Sequence, residues 1–206
     1  MEHYYLDKAF PERLAKQVAY LEDHPKVGFL LTGFESINEK NGSKNIVTPD
    51  PDTDLLRWRL LFNNKVRHST VMIRKEASEK VGHYNDSFEL AQDYDLWSRI
   101  SRHWEIGILP EVLGVMREPE NSISNQKKVI QEEAAAQISK ANLKWLTKDQ
   151  LDDNACYLLH QVLGQGKILP LESRKKTYPL IRYILRYFEE SFMPKNPTIK
   201  RKIRRD

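Results

Sequence analysis

His68-Ser-Thr-Val-Met-Ile-Arg74, followed by Ala91-Gln-Asp-Tyr-Asp-Leu-Trp97, decides how this chain is read. The first stretch is a short apolar run ending in a basic residue, and Ser69 to Arg74 reads as a buried strand. The second sets two carboxylates, Asp93 and Asp95, where a loop turns into an amphipathic helix expected over 93–104, with Leu96, Trp97 and Ile100 on one face. Between them, Lys75 to Val81 reads as a short helix stopped by Gly82. This layout puts an acid or base at a sheet edge, where a substrate can reach it.

Working toward the N-terminus, residues 11–23 open with a helix start. Pro11 suits the first turn, Glu12 suits the positive end of the dipole, and Leu14, Val18 and Leu21 fall on one face. Val27 to Gly33 reads as a second buried strand. Residues 38–54 read as turn and loop, with Asn41-Gly42 at a turn and a short strand at Asn45-Ile-Val47. Residues 54–62 form a helix that is apolar over much of its surface. Toward the C-terminus, Glu105 to Arg117 reads as two short strands around a bend at Pro110. Strands alternating with helices point to a mixed α/β layer.

Past Asn125 the pattern becomes helical. Ile130, Ala134, Ile138 and Ala141 repeat every three or four residues, and so do Leu151, Ala155, Leu158 and Val162. A last helix is expected over 180–192, with Ile181, Ile184, Leu185 and Phe188 inward; Gly164-Gln-Gly166 is a turn between helices. The expected organisation is therefore an α/β part over 1–124 and a helical part over 125–206.

Composition narrows the classes. The 206 residues are 40% apolar and 30% charged, which suits a globular chain without a membrane span. The start Met-Glu-His-Tyr-Tyr shows no basic segment leading into an apolar one, so no secretion signal is expected. A single cysteine, Cys156, at an apolar helical position, reads as a buried thiol in a reducing cytoplasm. The net charge of +4 is uneven: residues 195–206 carry +5, leaving the body near neutral. That distribution argues against nucleic acid as a partner. The basic helical segment from Arg174 to Phe192, followed by this tail, could instead lie on an anionic membrane surface, peripheral to the inner face.

The residues able to carry chemistry are few. Asp93 and Asp95, at i and i+2, do not point the same way, so one can face a pocket while the other caps the helix; alternatively both only stabilise the positive helix end, by about 0.3–1 kcal/mol each. His68, before the strand, can donate to a phosphate or a sugar, or be a plain strand-end residue. Arg74 and Arg117 each close an apolar run and could converge at one sheet end, where arginine grips phosphate with forked hydrogen bonds, or form surface ion pairs. Trp97 and Trp104 read as core before sugar platform. The six histidines show no metal-binding spacing, and no glycine-rich phosphate loop is present.

Taken together these segments resemble family 2 glycosyltransferases of the GT-A fold. Phe10-Pro-Glu-Arg-Leu-Ala-Lys-Gln-Val-Ala-Tyr-Leu21 resembles the helix after that family's metal-binding DxD motif, and His68 to Arg74 its acceptor-side strand. Val81-Gly-His-Tyr-Asn-Asp-Ser-Phe88 is similar to its Gly-Gly-Tyr turn, and Gln92-Asp-Tyr-Asp-Leu-Trp97 to its Glu-Asp-Tyr-Asp-Leu-Trp signature. Leu109-Pro-Glu-Val-Leu113, Met116-Arg117 and Asn121-Ser-Ile-Ser124 match the end of its catalytic domain.

The resemblance implies a partial GT-A-like mixed sheet with flanking helices. It makes Asp93 the catalytic base and places His68, Arg74, Asp95, Trp97 and Arg117 at the substrate. It also implies a nucleotide-sugar donor, a saccharide or lipid-linked acceptor, and a divalent cation, Mn2+ or Mg2+. The chain departs from the pattern on the donor side. The nucleotide-binding half is missing, the DxD position keeps only Asp7, Gln92 replaces Glu, and Pro119 stands where a histidine is usual. Catalysis by the chain alone is therefore not expected, and a separate nucleotide-binding subunit or a homo-oligomer is. The alternative is a non-catalytic acceptor- or partner-binding module, whose exposed sheet edge predicts association.

Overall fold

A computed structural model describes residues 8–88, 90–118, 127–168 and 170–192. Asp7, Pro119, Asn121 to Ser124 and the basic tail lie outside them. The fold is α/β, and the chain divides into two compact units: residues 1–53 with 66–131, and 54–65 with 132–206.

The first unit holds a five-stranded mixed sheet. Its strands are β1 (Lys8–Ala9), β2 (Val27–Asn38), β3 (Lys44–Val47), β4 (Met72–Ile73) and β5 (Glu105–Glu118), with helices α1 (Arg13–Asp23), α3 (Lys75–Val81) and α4 (Gln92–Ser101) beside it. β2 is central and runs parallel to β5. On its other side it pairs antiparallel with β4 through Phe29 and Leu30, then with β3 through Phe34 to Ile37. Its first eight residues are all buried, the near-continuous pattern of a strand covered on both faces.

Gly28 is what lets α4 approach β2. A Cβ there would lie 2.5 Å from Trp104 Cβ and 2.7 Å from Ile100 Cγ2. α3 matches the sequence reading from Lys75 to Val81, and Gly82, at φ 86°, ends it in the left-handed conformation that glycine adopts without strain.

Three expectations for this unit change. The run Ser69 to Arg74 is not one strand, because a 3₁₀ turn takes up His68–Thr70 and only two residues pair with β2. The Thr70 hydroxyl closes that turn on the Arg67 carbonyl at 2.8 Å. The two short strands expected around Pro110 are one strand with a bulge: Leu109 faces Thr32 and Val112 faces Gly33, so Pro110 and Glu111 stand out of register. A proline, lacking an N–H, is tolerated at such a bulge.

In α1 the apolar stripe is not the inward face. Leu14 is 65% and Val18 44% exposed, while Gln17 is fully buried with Leu21. The Gln17 amide donates to the Thr70 carbonyl at 3.0 Å and accepts from Arg13 Nε at 3.0 Å. The rotation of the helix that leaves Leu14 and Val18 outward is the one that lets Gln17 satisfy the Thr70 carbonyl, whose loss would cost about 1–3 kcal/mol.

The second unit is helical: α2 (Thr53–Leu60, from Asp54 onward), α5 (Lys128–Thr147, from Glu132 onward), α6 (Asp153–Leu159) continued by a π-helical turn (His160–Gly164), and α7 (Leu171–Phe192). Its core contains Trp58, Phe62, Leu143, Leu159, Ile184 and Phe188, with Trp58 set edge-on to Phe62 and Phe188 at 5.1 and 5.2 Å. At the end of α2 the Trp58 and Arg59 carbonyls accept the backbone amides of Leu61, Phe62 and Asn63. Side chains supply two further carbonyls: Asn142 Nδ2 donates to Leu60 O at 3.0 Å, and His160 Nδ1 donates to Phe62 O, in the turn after the helix, at 3.0 Å. Gly164 lies so close that a Cβ would come within 2.7 Å of Phe62 O. α7 starts nine residues before the expected position and runs through Pro179.

Candidate functional site

The site is built at the start of α4. Ala91, the residue before the helix, offers no side-chain cap, and Asp93 Oδ1 instead accepts from the Tyr94 amide at 2.8 Å. Asp93 is half-buried there. Beside it, His68 Nε2 and the Tyr84 hydroxyl are 3.0 Å apart, with ring centroids 6.0 Å apart. Burial, and then the negative charge of Asp93, raise the pKa of Tyr84 above the ordinary phenol value. The phenol therefore stays protonated and remains a hydrogen-bond donor. The 3₁₀ turn that interrupts the expected strand is what carries His68 to this place.

Asp95 points elsewhere. One of its oxygens accepts from both Nε and Nη2 of Arg99, at 2.8 and 2.6 Å. The same guanidinium donates to the carbonyls of Val81 and His83, the latter at 2.6 Å. The pair ties α4 to the turn after α3, and so positions Tyr84 rather than a ligand. Trp97 is fully buried against Phe29 at 5.1 Å, with its ring 5.9 Å from His68. Its indole offers no open face; it is the floor under His68.

The two arginines do not converge. The Arg74 amide bonds the Gly28 carbonyl at the start of β2, whereas Arg117 pairs with Ile37 near its end. Nine residues of strand separate those positions, roughly 30 Å at 3.3 Å per residue. The reason is directional: β5 runs parallel to β2 and β4 runs antiparallel, so their C-terminal ends point opposite ways. Arg74 donates to the carbonyls of Val27, Leu21 and His24, closing the end of α1. Arg117 pairs with Glu39 at 2.8 Å.

Next to the His68–Thr70 turn lies a cleft of about 160 Å³. Lys8, Arg13, Thr32, Ser69, Thr70 and Gly114 are among its lining residues. Burial lowers the pKa of Arg13 below its usual value, and it stays a cation. A cleft with two cations and three hydroxyls suits a phosphate or a polyol. Among the described residues no three His, Cys, Asp or Glu side chains converge to hold a metal ion, and Asp7 lies outside them.

Three contributors were missed in the sequence. Tyr84 sits in the glycine-tyrosine turn and could have been named there. Lys8 and Arg13 had no local signal, since only the pairing of β1 with β5 brings them to the cleft.

No family model matches the chain. It is 29% identical over 124 residues to the amylovoran biosynthesis glycosyltransferase AmsE of Erwinia amylovora, covering 59% of this chain and 45% of that protein. It is 27% identical over 180 residues to an uncharacterized glycosyltransferase of Haemophilus influenzae, covering 84% of this chain and 63% of that one. The chain thus spans about half to three-fifths of the curated relatives it matches, and both are named glycosyltransferases.

Proposed function

We propose that this chain carries the acceptor-side part of an inverting family 2 glycosyltransferase on a GT-A-like sheet. In this reading Asp93 takes a proton from an acceptor hydroxyl. The oxygen forms a bond to the anomeric carbon, the carbon–oxygen bond to the nucleoside diphosphate breaks, and the diphosphate leaves with the electron pair. His68 and Tyr84 orient the acceptor, and Lys8 and Arg13 offer positive charge to phosphate in the cleft. The donor nucleotide belongs to a separate nucleotide-binding subunit.

The observation that carries this reading is the grouping of Asp93, Tyr84 and His68 at the start of α4, in a chain whose relatives are named glycosyltransferases. The test follows radiolabelled sugar from a panel of nucleotide sugars in an extract of cells lacking the protein, with the purified chain added back. The wild-type chain restores transfer. Asp93→Asn transfers about 100- to 10,000-fold more slowly, the range for losing a general base. A chain that restores nothing, or an Asp93→Asn variant keeping more than about a tenth of the rate, overturns the reading.

A further inference from the structure

We infer that the outer face of α7, with the loop before it, is a docking surface for an anionic lipid bilayer. One side of α7 is committed to the core, where Thr177, Ile184, Leu185 and Phe188 are buried. A flank of the helix turned away from that core presents Leu171, Lys175, Tyr178 and Arg182 at i, i+4, i+7 and i+11, all exposed. From Ser173 to Phe188 there are five basic residues and no acidic one. Flanking acids offset part of this charge: Glu172 pairs with Lys175 at 3.1 Å and Glu190 with Arg186 at 3.8 Å. Lys176 and Arg182 make no ion pair among the described residues.

Charge alone would suit any polyanion. The apolar residues select the bilayer. Ile168 is 85% exposed, Leu171 67% and Tyr178 69%, at the loop and first turns of the same basic helix. Exposed aliphatics at the tip, a tyrosine beside them and lysine and arginine along the stripe match the depth profile of a lipid interface: acyl boundary, glycerol level, headgroup phosphate. Among the described residues no helix is long and apolar enough to cross a membrane, so the helix would lie on the surface. The tail at 195–206 adds a net +5 to the same end of the sequence. This inference does not depend on the glycosyl-transfer reading.

The test is flotation of the full chain with phosphatidylcholine vesicles and with vesicles of phosphatidylcholine and phosphatidylglycerol at 7:3. Binding is expected to the anionic vesicles only. Each surface lysine or arginine contributes about fivefold in partitioning, so Lys175→Glu/Arg182→Glu loses about 25-fold or more. Ile168→Asp/Leu171→Asp loses at least about tenfold, because the inserted apolar groups are gone. All four positions are exposed, and far-UV circular dichroism checks that the fold is kept. Equal flotation with both vesicle types overturns the proposal. So does unchanged binding of both double variants, which assigns it to the tail. Binding of RNA that the Ile168/Leu171 pair leaves unaffected, with no flotation, identifies a polyanion surface instead.

Discussion

Gly28→Ala probes whether the contact of α4 with β2 sets both stability and the site. The new Cβ would meet Trp104 Cβ at 2.5 Å, Ile100 Cγ2 at 2.7 Å and Trp104 Cγ at 2.8 Å. Carbon atoms rest at about 3.5–4.0 Å, so each contact is about 1 Å too short. Ile100 is fully buried, and β2 is held by strands on both sides. Relief must therefore come from moving α4 outward. Overpacking of this kind costs about 1–3 kcal/mol. At about 2–4 °C per kcal/mol for a chain of this size, the melting temperature falls by about 2–12 °C. Urea unfolding and thermal scans read that loss. Ile100→Ala removes the clashing Cγ2, so the double variant should lose less than the sum of the two single changes. The same displacement carries Asp93 away from Tyr84, so restored transfer in the extract assay falls as well. A Gly28→Ala variant within about 0.5 kcal/mol of wild type, with no coupling to Ile100→Ala, refutes the reasoning.

Other substitutions follow from the same structure. Arg99→Met leaves Asp95 without its ion pair and releases the carbonyls of Val81 and His83. With the pair partly solvated, the cost is about 2–3 kcal/mol, below the 3–5 kcal/mol of a fully enclosed one; urea unfolding measures it. His160 is buried, and its pKa is lowered, chiefly by burial, with the bond to Phe62 opposing. A folded-state pKa below the unfolded one gives stability that is present above pH 6.5 and lost as pH falls through the folded value. His160→Asn keeps a donor for the Phe62 carbonyl but does not titrate, so its stability should fall less between pH 7.5 and 5.5; parallel curves would contradict this. Tyr84→Phe removes the hydroxyl that meets His68 and should lower restored transfer about tenfold or more, with unfolding midpoint unchanged.

Local chemistry made parts of this fold readable. The end of α3 was legible because Gly82 can take a left-handed φ, and the first seven residues of β2 because a short apolar run between turn residues has few other homes, whereas its continuation to Asn38 was not read. What could not be read depended on distant partners. Nothing within Ser69 to Arg74 says that only Met72 and Ile73 have a strand to pair with. Nothing in α1 says that the Thr70 carbonyl will claim Gln17 and turn Leu14 and Val18 outward. The last helix was expected from 180, where the apolar spacing is clear, but α7 begins at Leu171 and passes through Pro179. Asp93 and His68 were singled out from their own stretches. The separation of Arg74 from Arg117 needed the strand directions, and those are a property of the sheet, not of either segment.

α2 is encoded inside the sheet-forming sequence yet completes its core with helices from the other end of the chain. During synthesis Leu55, Trp58 and Phe62 leave the ribosome roughly 80 residues ahead of Leu143, a delay of about 4–16 s at 5–20 residues per second. For that interval an apolar segment centred on Trp58 is tethered between strands β3 and β4 with nothing of its own to fold onto. The nascent chain is therefore most exposed to aggregation, and most in need of a chaperone's grip, before its last helix is made.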